Sequence, residues 1–362
     1  MKILKIRSNI KLAGPAIQIL ETSKVLREAG HEVVIASGGG DTEEEFQKNE
    51  FITYRFPALD VGKRNILGML KMPLEISRVI KKHDIDIIHG YNALSSLMGW
   101  IAKILSFKWN IKVYNTVLGV GKEKIYKKLP FNKYLVVSGF LKNRLISYGV
   151  KPKKIEVVYN SIIDLEKFNP QGIDIDNCRN QWGIDKGTIV LGSIAHMTQG
   201  KGQEYLIERF KEISKEFENV KLLLIGDGPY RGNLEEKVKG LGIEDKVIFT
   251  GFRRDIPAVL SCVDIFCHAA KSETFGMVLI EAMAMEKVIV SSNVGGIPEV
   301  VEDGVTGKLF DLNCPSDFNT AVKEYIINEN KRILHGKQGR QRVERCFTTP
   351  KLKEDILKFY NI

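Results

Sequence analysis

Short apolar runs alternate with amphipathic stretches along the whole chain, and that alternation limits the fold more than any other feature. In the first half, "MKILKI", "HEVVIAS", "DIDIIHGY", "IKVYNT" and "KYLVVS" are separated by helical periodicities over 16–29, 66–82 and 93–106. Strands joined by crossover helices form βαβ units, and such units assemble parallel sheets. The rhythm resumes with "TIVLGSI", "VKLLLIGDG", "KVIFTGF", "DIFCHAA", "KVIVSSN" and "GKLF". At 362 residues the chain also exceeds what one hydrophobic core usually supports. The sequence therefore predicts an α/β protein of two doubly wound parallel-sheet domains. The division falls in the polar segment "NSIIDLEKFNPQGIDID", giving domains of 1–165 and 166–345. Ligands of open α/β sheets bind beyond the carboxyl ends of the strands. Two such sheets facing each other would hold a cleft between them.

The net charge of +10 is unevenly spread: residues 1–165 carry 27 Lys and Arg against 15 Asp and Glu, whereas 166–362 carry 27 against 29. A basic front half suggests an anionic partner there, such as a membrane surface, a polyanion or an acidic substrate; a solvated basic surface explains it as well. No nucleic-acid-binding signature accompanies the charge. The five cysteines show neither CxxC spacing nor histidines at zinc-ligand distances, so reduced thiols are expected. No apolar run is long enough to span a bilayer, and "MKILKIRSNI" is too short and too charged for a secretory signal. A cytoplasmic protein is expected.

The most informative stretch is "KSETFGMVLIEAMAM", 271–285. Its second part reads as a helix apolar almost all the way round, hence buried, yet it contains Glu281. A carboxylate removed from water needs partners. The helix start would present the backbone N–H groups of Phe275, Gly276 and Met277, and glycine lets an anion approach such a backbone closely. Glu281, one turn further in, could accept two hydrogen bonds from the adjacent hydroxyls of a ribose. Glu273, on the preceding loop, could reach hydroxyls of whatever the phosphate carries. The alternative is that Glu281 pairs with a core Arg or Lys and Glu273 is a surface residue. After "TIVLGSI", the run Ala195-His196-Met197-Thr198-Gln199-Gly200-Lys201 offers an ammonium at a helix start, suited to a diphosphate. Gly226 follows "VKLLLI". The text "DID" at 84–86 mimics a metal-binding motif, but it leads into an apolar strand and is discounted. His89, at that strand's end, could face the cleft near the acceptor, but a core histidine is the preferred reading.

In their order and spacing, "NSIIDLEKF", "SIAHMTQGKGQEYLI", "LLIGDGPYRGNLE", "VIFTGF", "ETFGMVLIEAMA" and "GGIPEVVEDGVTGKLF" resemble the retaining GT-B glycosyltransferases of family 4. The resemblance covers most of 133–312 and extends more weakly to "AGPAIQILETSKVLREAGHEVVIAS". It implies a GT-B fold of two Rossmann-like domains and transfer of a sugar from a nucleotide sugar, a UDP-sugar being expected. Carried over by position, Glu281 resembles the ribose-binding glutamate and Glu273 the glutamate that holds the donor sugar. Phe275 to Met277 resemble the phosphate cradle, and Lys201 the lysine that neutralises the leaving diphosphate. Gly14 is similar to the first-loop glycine that approaches the donor, and Gly226 joins the donor-binding set. The end of the chain, about 346–362, resembles a terminal helix that packs back on the first domain.

Three departures from the family pattern stand out. His196 replaces the arginine that accompanies the lysine, Asn160-Ser161 replaces Asn-Gly, and Leu118 stands where a donor-contacting histidine is often found. The resemblance implies attack from the face the phosphate leaves, with Lys201, the Phe275–Met277 amides and His196 stabilising charge and no metal required. The acceptor, a glycan or a lipid-linked molecule in cell-surface synthesis, is expected on the first domain. There 61–82, 100–112 and 121–130 mix basic with apolar residues and suit the cytoplasmic face of an anionic membrane. A nucleotide-sugar epimerase on the same fold, or a non-catalytic binding or membrane-associated protein, is the alternative.

Overall fold

The computed structural model describes residues 1–10, 14–121, 123–160 and 162–362. The chain divides into two compact units, Met1–Ile162 together with Pro350–Ile362, and Ile163–Thr349.

Unit 1 is built on seven strands: β1 (Lys2–Arg7), β2 (Glu32–Ser37), β3 (Ile52–Arg55), β4 (Ile87–Gly90), β5 (Lys112–Val117), β6 (Lys133–Val136) and β7 (Ile155–Val157). They pair in the order β3-β2-β1-β4-β5-β6-β7, every pair parallel. Strands covered on both faces need apolar residues throughout, and β1 and β4 are accordingly buried along their lengths. Side-chain caps start the crossover helices: Asn65, Asn92 and Ser138 accept hydrogen bonds from the N–H groups of Gly68, Ser95 and Leu141. The helix Thr349–Tyr360 adds Leu352, Ile356, Phe359 and Tyr360 to this unit's core. The edge strands β3 and β7 are absent from the sequence-based expectation. Both are short, and neither carries the continuous apolar run that marks the central strands.

His89, at the third position of β4, is a core residue. Its Nδ1 pairs with the Tyr360 hydroxyl at 2.5 Å and its Nε2 with Thr116 Oγ1 at 2.7 Å. Asp84 caps a helix C-terminus in the left-handed region and pairs with Lys108, while Asp86 accepts the Lys2 N–H at 2.8 Å. Both aspartates are thus engaged structurally.

Unit 2 carries β8 (Ile189–Ile194), β9 (Val220–Ile225), β10 (Val247–Gly251), β11 (Ile265–His268), β12 (Val288–Ser292) and β13 (Gly307–Phe310). All are parallel in the order β10-β9-β8-β11-β12-β13. The two sheets share a winding: strands run outward one way from the first, then restart on its other side. That reversal leaves a switch point between β1 and β4 in unit 1 and between β8 and β11 in unit 2, where loops diverge and leave a crevice. Among the described residues no helix is long and apolar enough to cross a membrane, and the five cysteines are free.

Candidate functional site

The loops that leave β8 and β11 flank the switch point of unit 2, and they carry Lys201 and Glu273. The backbone packs tightly here. A Cβ on Gly295, whose φ is +59°, would lie 1.8 Å from the Glu273 carbonyl oxygen. The same oxygen accepts the Gly296 N–H at 3.0 Å. Glycine is therefore needed after β12 to let that turn press against the Glu273 loop. Gly226, after β9, plays a similar part, since a Cβ there would lie 2.2 Å from the Ala195 carbonyl oxygen.

Glu273 is held from three sides. Its Oε1 accepts the Thr274 N–H at 3.0 Å, its Oε2 lies 3.4 Å from Lys201 Nζ, and the same Oε2 is 3.8 Å from Nε2 of His268, the last residue of β11. Burial by itself would raise this carboxyl, but His268, Lys201 and the Thr274 N–H together outweigh it and bring it down to about 2. At neutral pH the group is a fixed anion. At 3.8 Å the His268 contact is electrostatic rather than a formed hydrogen bond.

Glu281 shows the opposite electrostatics. The helix Met277–Ala284 begins after Gly276, whose φ of +98° places it in the left-handed region, and no side chain caps the start. The first turn therefore presents backbone N–H groups and the positive end of the helix dipole. The rest of the helix is packed into the unit: Leu279, Ile280, Ala282, Met283 and Ala284 are buried. Glu281 is half-buried among them, and its carboxylate has no hydrogen-bond or ion-pair partner among the described residues. Burial pushes it up to about 7, with Lys167 opposing. The alternative of a core Arg or Lys clasping Glu281 is therefore not what is observed. A half-buried carboxylate one turn into an uncapped helix is unsatisfied by the protein itself, which suits a ligand carrying adjacent hydroxyls beside a phosphate.

The remaining expected residues divide. Phe275 is buried, its ring set edge-on against Phe347 at 5.7 Å, so it anchors the loop while its backbone borders the helix start. His196 is exposed on the loop after β8. Gly14, in unit 1, is exposed and opens the helix Gly14–Glu28; residues 11–13 before it lie outside the described residues, as does Ser161. Leu118 packs against the core of unit 1.

Two residues of this neighbourhood were missed by sequence reasoning. His268 is 2% exposed and Ser291, its register partner on β12, is fully buried. Among the described residues, both His268 ring nitrogens and the Ser291 hydroxyl lack hydrogen-bond partners. The available signal was polar residues at the carboxyl ends of otherwise apolar strands beside a switch point. Among the described residues no group of three or more His, Cys, Asp or Glu side chains could hold a metal ion. A cavity of ≈ 650 Å³ lies elsewhere, at the amino-terminal ends of β4 and β5 between Asp84, Asp86, Phe107, Trp109 and Tyr360. That is the wrong end of the strands for a switch-point site.

Comparison with known proteins identifies the family and the fold. The family description glycosyl transferases group 1 matches residues 174–342, and glycosyltransferase family 4 matches 13–166. The chain is 26% identical to the N-acetyl-alpha-D-glucosaminyl L-malate synthase of Bacillus anthracis, over 96% of this chain and 94% of that one. It is 28% identical to the alpha-monoglucosyldiacylglycerol synthase of Streptococcus pneumoniae, over 83% of this chain and 72% of that one. Its backbone is similar to that of Anabaena HepE, solved in complex with UDP and glucose, with a TM-score of 0.86 at 21% identity over 100% of this chain and 99% of that one. This last likeness is one of fold.

Proposed function

The chain belongs to the group 1, family 4 glycosyltransferases of GT-B fold, and from that premise we propose that it moves a hexosyl or N-acetylhexosaminyl group, with retention, from a UDP-sugar to a glycan or lipid-linked acceptor of cell-surface synthesis. The observation that carries the donor half of this reading is the unpartnered Glu281 carboxylate one turn inside an uncapped helix. The ribose diol is its natural counterpart, and the amides of Phe275 to Met277 take the diphosphate. UDP is favoured among nucleotides because HepE, similar in fold, was solved with UDP and glucose.

In this scheme the acceptor oxygen attacks the anomeric carbon from the side that the diphosphate leaves. The new carbon–oxygen bond forms as the bond to phosphate breaks, and the departing phosphate oxygen takes the acceptor's proton. The protein contributes placement and charge: Lys201 and the helix-start amides stabilise the leaving diphosphate, His196 adds a donor at the loop, and Glu273 holds sugar hydroxyls. The scheme requires no metal. Thermal shift with UDP-, GDP- and ADP-sugars tests the donor. A UDP-sugar is expected to give the largest shift and Glu281→Ala to abolish it, whereas an equal response to every nucleotide would refute the assignment.

For the acceptor, the outer face of the helix Ile66–His83 supports a membrane surface as partner. Ile66, Leu67, Leu70 and Leu74 are at least half exposed along it, although the opposite face already packs Met72, Ile76, Val79 and Ile80. Exposed Lys63, Arg64, Lys71, Arg78, Lys81 and Lys82 accompany them against a single exposed acid, Glu75. Apolar side chains amid positive charge suit an anionic bilayer on the cytoplasmic side. Co-sedimentation with anionic but not neutral vesicles, weakened by salt and by Leu67→Asp with Leu70→Asp, is the expected result.

A further inference from the structure

The buried imidazole of His268 has no role in the family resemblance, and nothing in its immediate structure satisfies it. It is 2% exposed, and neither ring nitrogen has a hydrogen-bond partner among the described residues. Leaving a buried polar group unsatisfied is costly, so an imidazole here rather than an apolar side chain calls for a compensating use. Strand geometry shows where it faces. Ile265 and Cys267 of β11 belong to the core on one side of the sheet, as do Val288 and Val290 of β12. Side chains alternate along a strand, so Phe266 and His268 lie on the other side with Ile289 and Ser291. From there the His268 ring reaches Glu273, its Nε2 lying 3.8 Å from Oε2.

The groups around that oxygen differ in how firmly they are held. Lys201, from the loop after β8, is 39% exposed at its side chain and sits on a flexible stem. The Thr274 N–H engages the other oxygen, Oε1. His268 comes from a strand end and is enclosed. On the reading proposed above, Lys201 must turn toward the diphosphate when donor binds. Oε2 would then lose its nearer cation at the moment the carboxylate has to hold a sugar hydroxyl.

We infer that His268 is a positioning residue for the transfer: its imidazole N–H holds the Glu273 carboxylate toward the donor sugar after Lys201 has moved to the diphosphate. The inference rests on the donor reading but is separable from it, because it concerns the sugar and not the nucleotide.

Calorimetric titration with two probes, UDP and UDP-glucose, tests it on the full chain. His268→Phe is expected to weaken UDP-glucose about tenfold, the loss of one hydrogen bond to a charged group, and to leave UDP within about twofold. His268→Gln, which keeps a donor, should recover most of the loss. Equal weakening of both probes would assign His268 to packing, and no weakening would leave it without effect; either result overturns the inference. Should His268→Phe fail to fold, the ratio in His268→Gln against His268→Ala decides in the same way. A ligand-free measurement stands beside it: in His268→Ala, carbon-detected titration should find the Glu273 carboxyl raised relative to the unaltered protein, with His268→Gln restoring it part of the way, and an unmoved midpoint in His268→Ala would overturn the role. Wild-type protein that binds neither probe would overturn the donor reading, and the inference with it.

Discussion

Beside β1 and β4 of unit 1, the two buried bases are answered by neighbours, although Gln18 Oε1 and Ser95 Oγ have no hydrogen-bond partner among the described residues. Lys5 donates to Thr22 Oγ1 at 2.7 Å and approaches the Ile19 carbonyl at 3.4 Å, while His89 is paired on both nitrogens by Tyr360 and Thr116. Lys5 and His89 are register partners on neighbouring strands, and burial lowers both well below their usual ranges. Beside β8 and β11 of unit 2, with the same winding, the Glu281 carboxylate and the His268 ring nitrogens have no hydrogen-bond partner among the described residues, and Glu273 lies against the Lys201 ammonium and the His268 ring. The units also differ in charge: unit 1 carries 30 Lys and Arg against 16 Asp and Glu, unit 2 24 against 28. The contrast teaches that strand order creates a place for a ligand in each unit, and that the two places differ in which ionisable side chains the protein itself satisfies.

The sharpest way to break the comparison is at Lys201. Removing a charge that stabilises a leaving group typically costs about 10²–10³-fold. Lys201→Ala is therefore expected to slow UDP release from the best UDP-sugar by that factor without loss of folding, whereas Lys5→Met in unit 1 should leave the rate unchanged. A rate insensitive to Lys201 would erase the distinction between the two lysines.

A smaller effect lies in the pH dependence of binding. Glu281, pushed up to about 7 in the free protein, must be ionised to accept two hydroxyls, so donor binding expels its proton. UDP-glucose affinity should fall about tenfold per unit as pH drops below about 7, a trend that Glu281→Gln abolishes. UDP-glucose is the right probe because its diphosphate, unlike that of free UDP, does not titrate there. The sign for stability is opposite. A carboxyl raised on folding favours the folded state at low pH and loses that contribution as pH rises through about 7, so Glu281→Gln should raise the melting temperature at pH 8 and have little effect at pH 4.

The smallest expected change is in unit 1. Burial lowers Lys5 well below its usual range, so the folded state holds that proton less tightly than the unfolded chain does and stability rises with pH up to the ordinary lysine range. Lys5→Met removes that cost and should stabilise the protein by about 1–2 kcal/mol at pH 7, less as pH approaches 10. A lower melting temperature would mean that the bonds to Thr22 and Ile19 outweigh the buried base.

Much of the fold was legible because parallel strands covered on both faces must be continuously apolar. All six strands of unit 2 were read from apolar runs, its edge strands β10 and β13 included; β3 and β7 escaped because both are short and little buried, with no apolar run to mark them. The glutamates were legible for a related reason: Glu281 is conspicuous in an apolar helix, and Glu273 falls beside glycine just before it. His268 was hidden inside "DIFCHAA", where one polar residue in a strand does not disturb the pattern. Asp84 and Asp86, conspicuous as text, proved to be a helix cap and a backbone acceptor.

Residue order along the chain thus determined the alternation of strands and helices, the winding class and the presence of an isolated acid in an oily helix, since each follows from local periodicity. Only tertiary structure decided which polar groups find partners. Partnership depends on atoms brought within a few ångströms from distant segments, as Tyr360 is to His89 across 271 residues and Lys201 to Glu273 across 72.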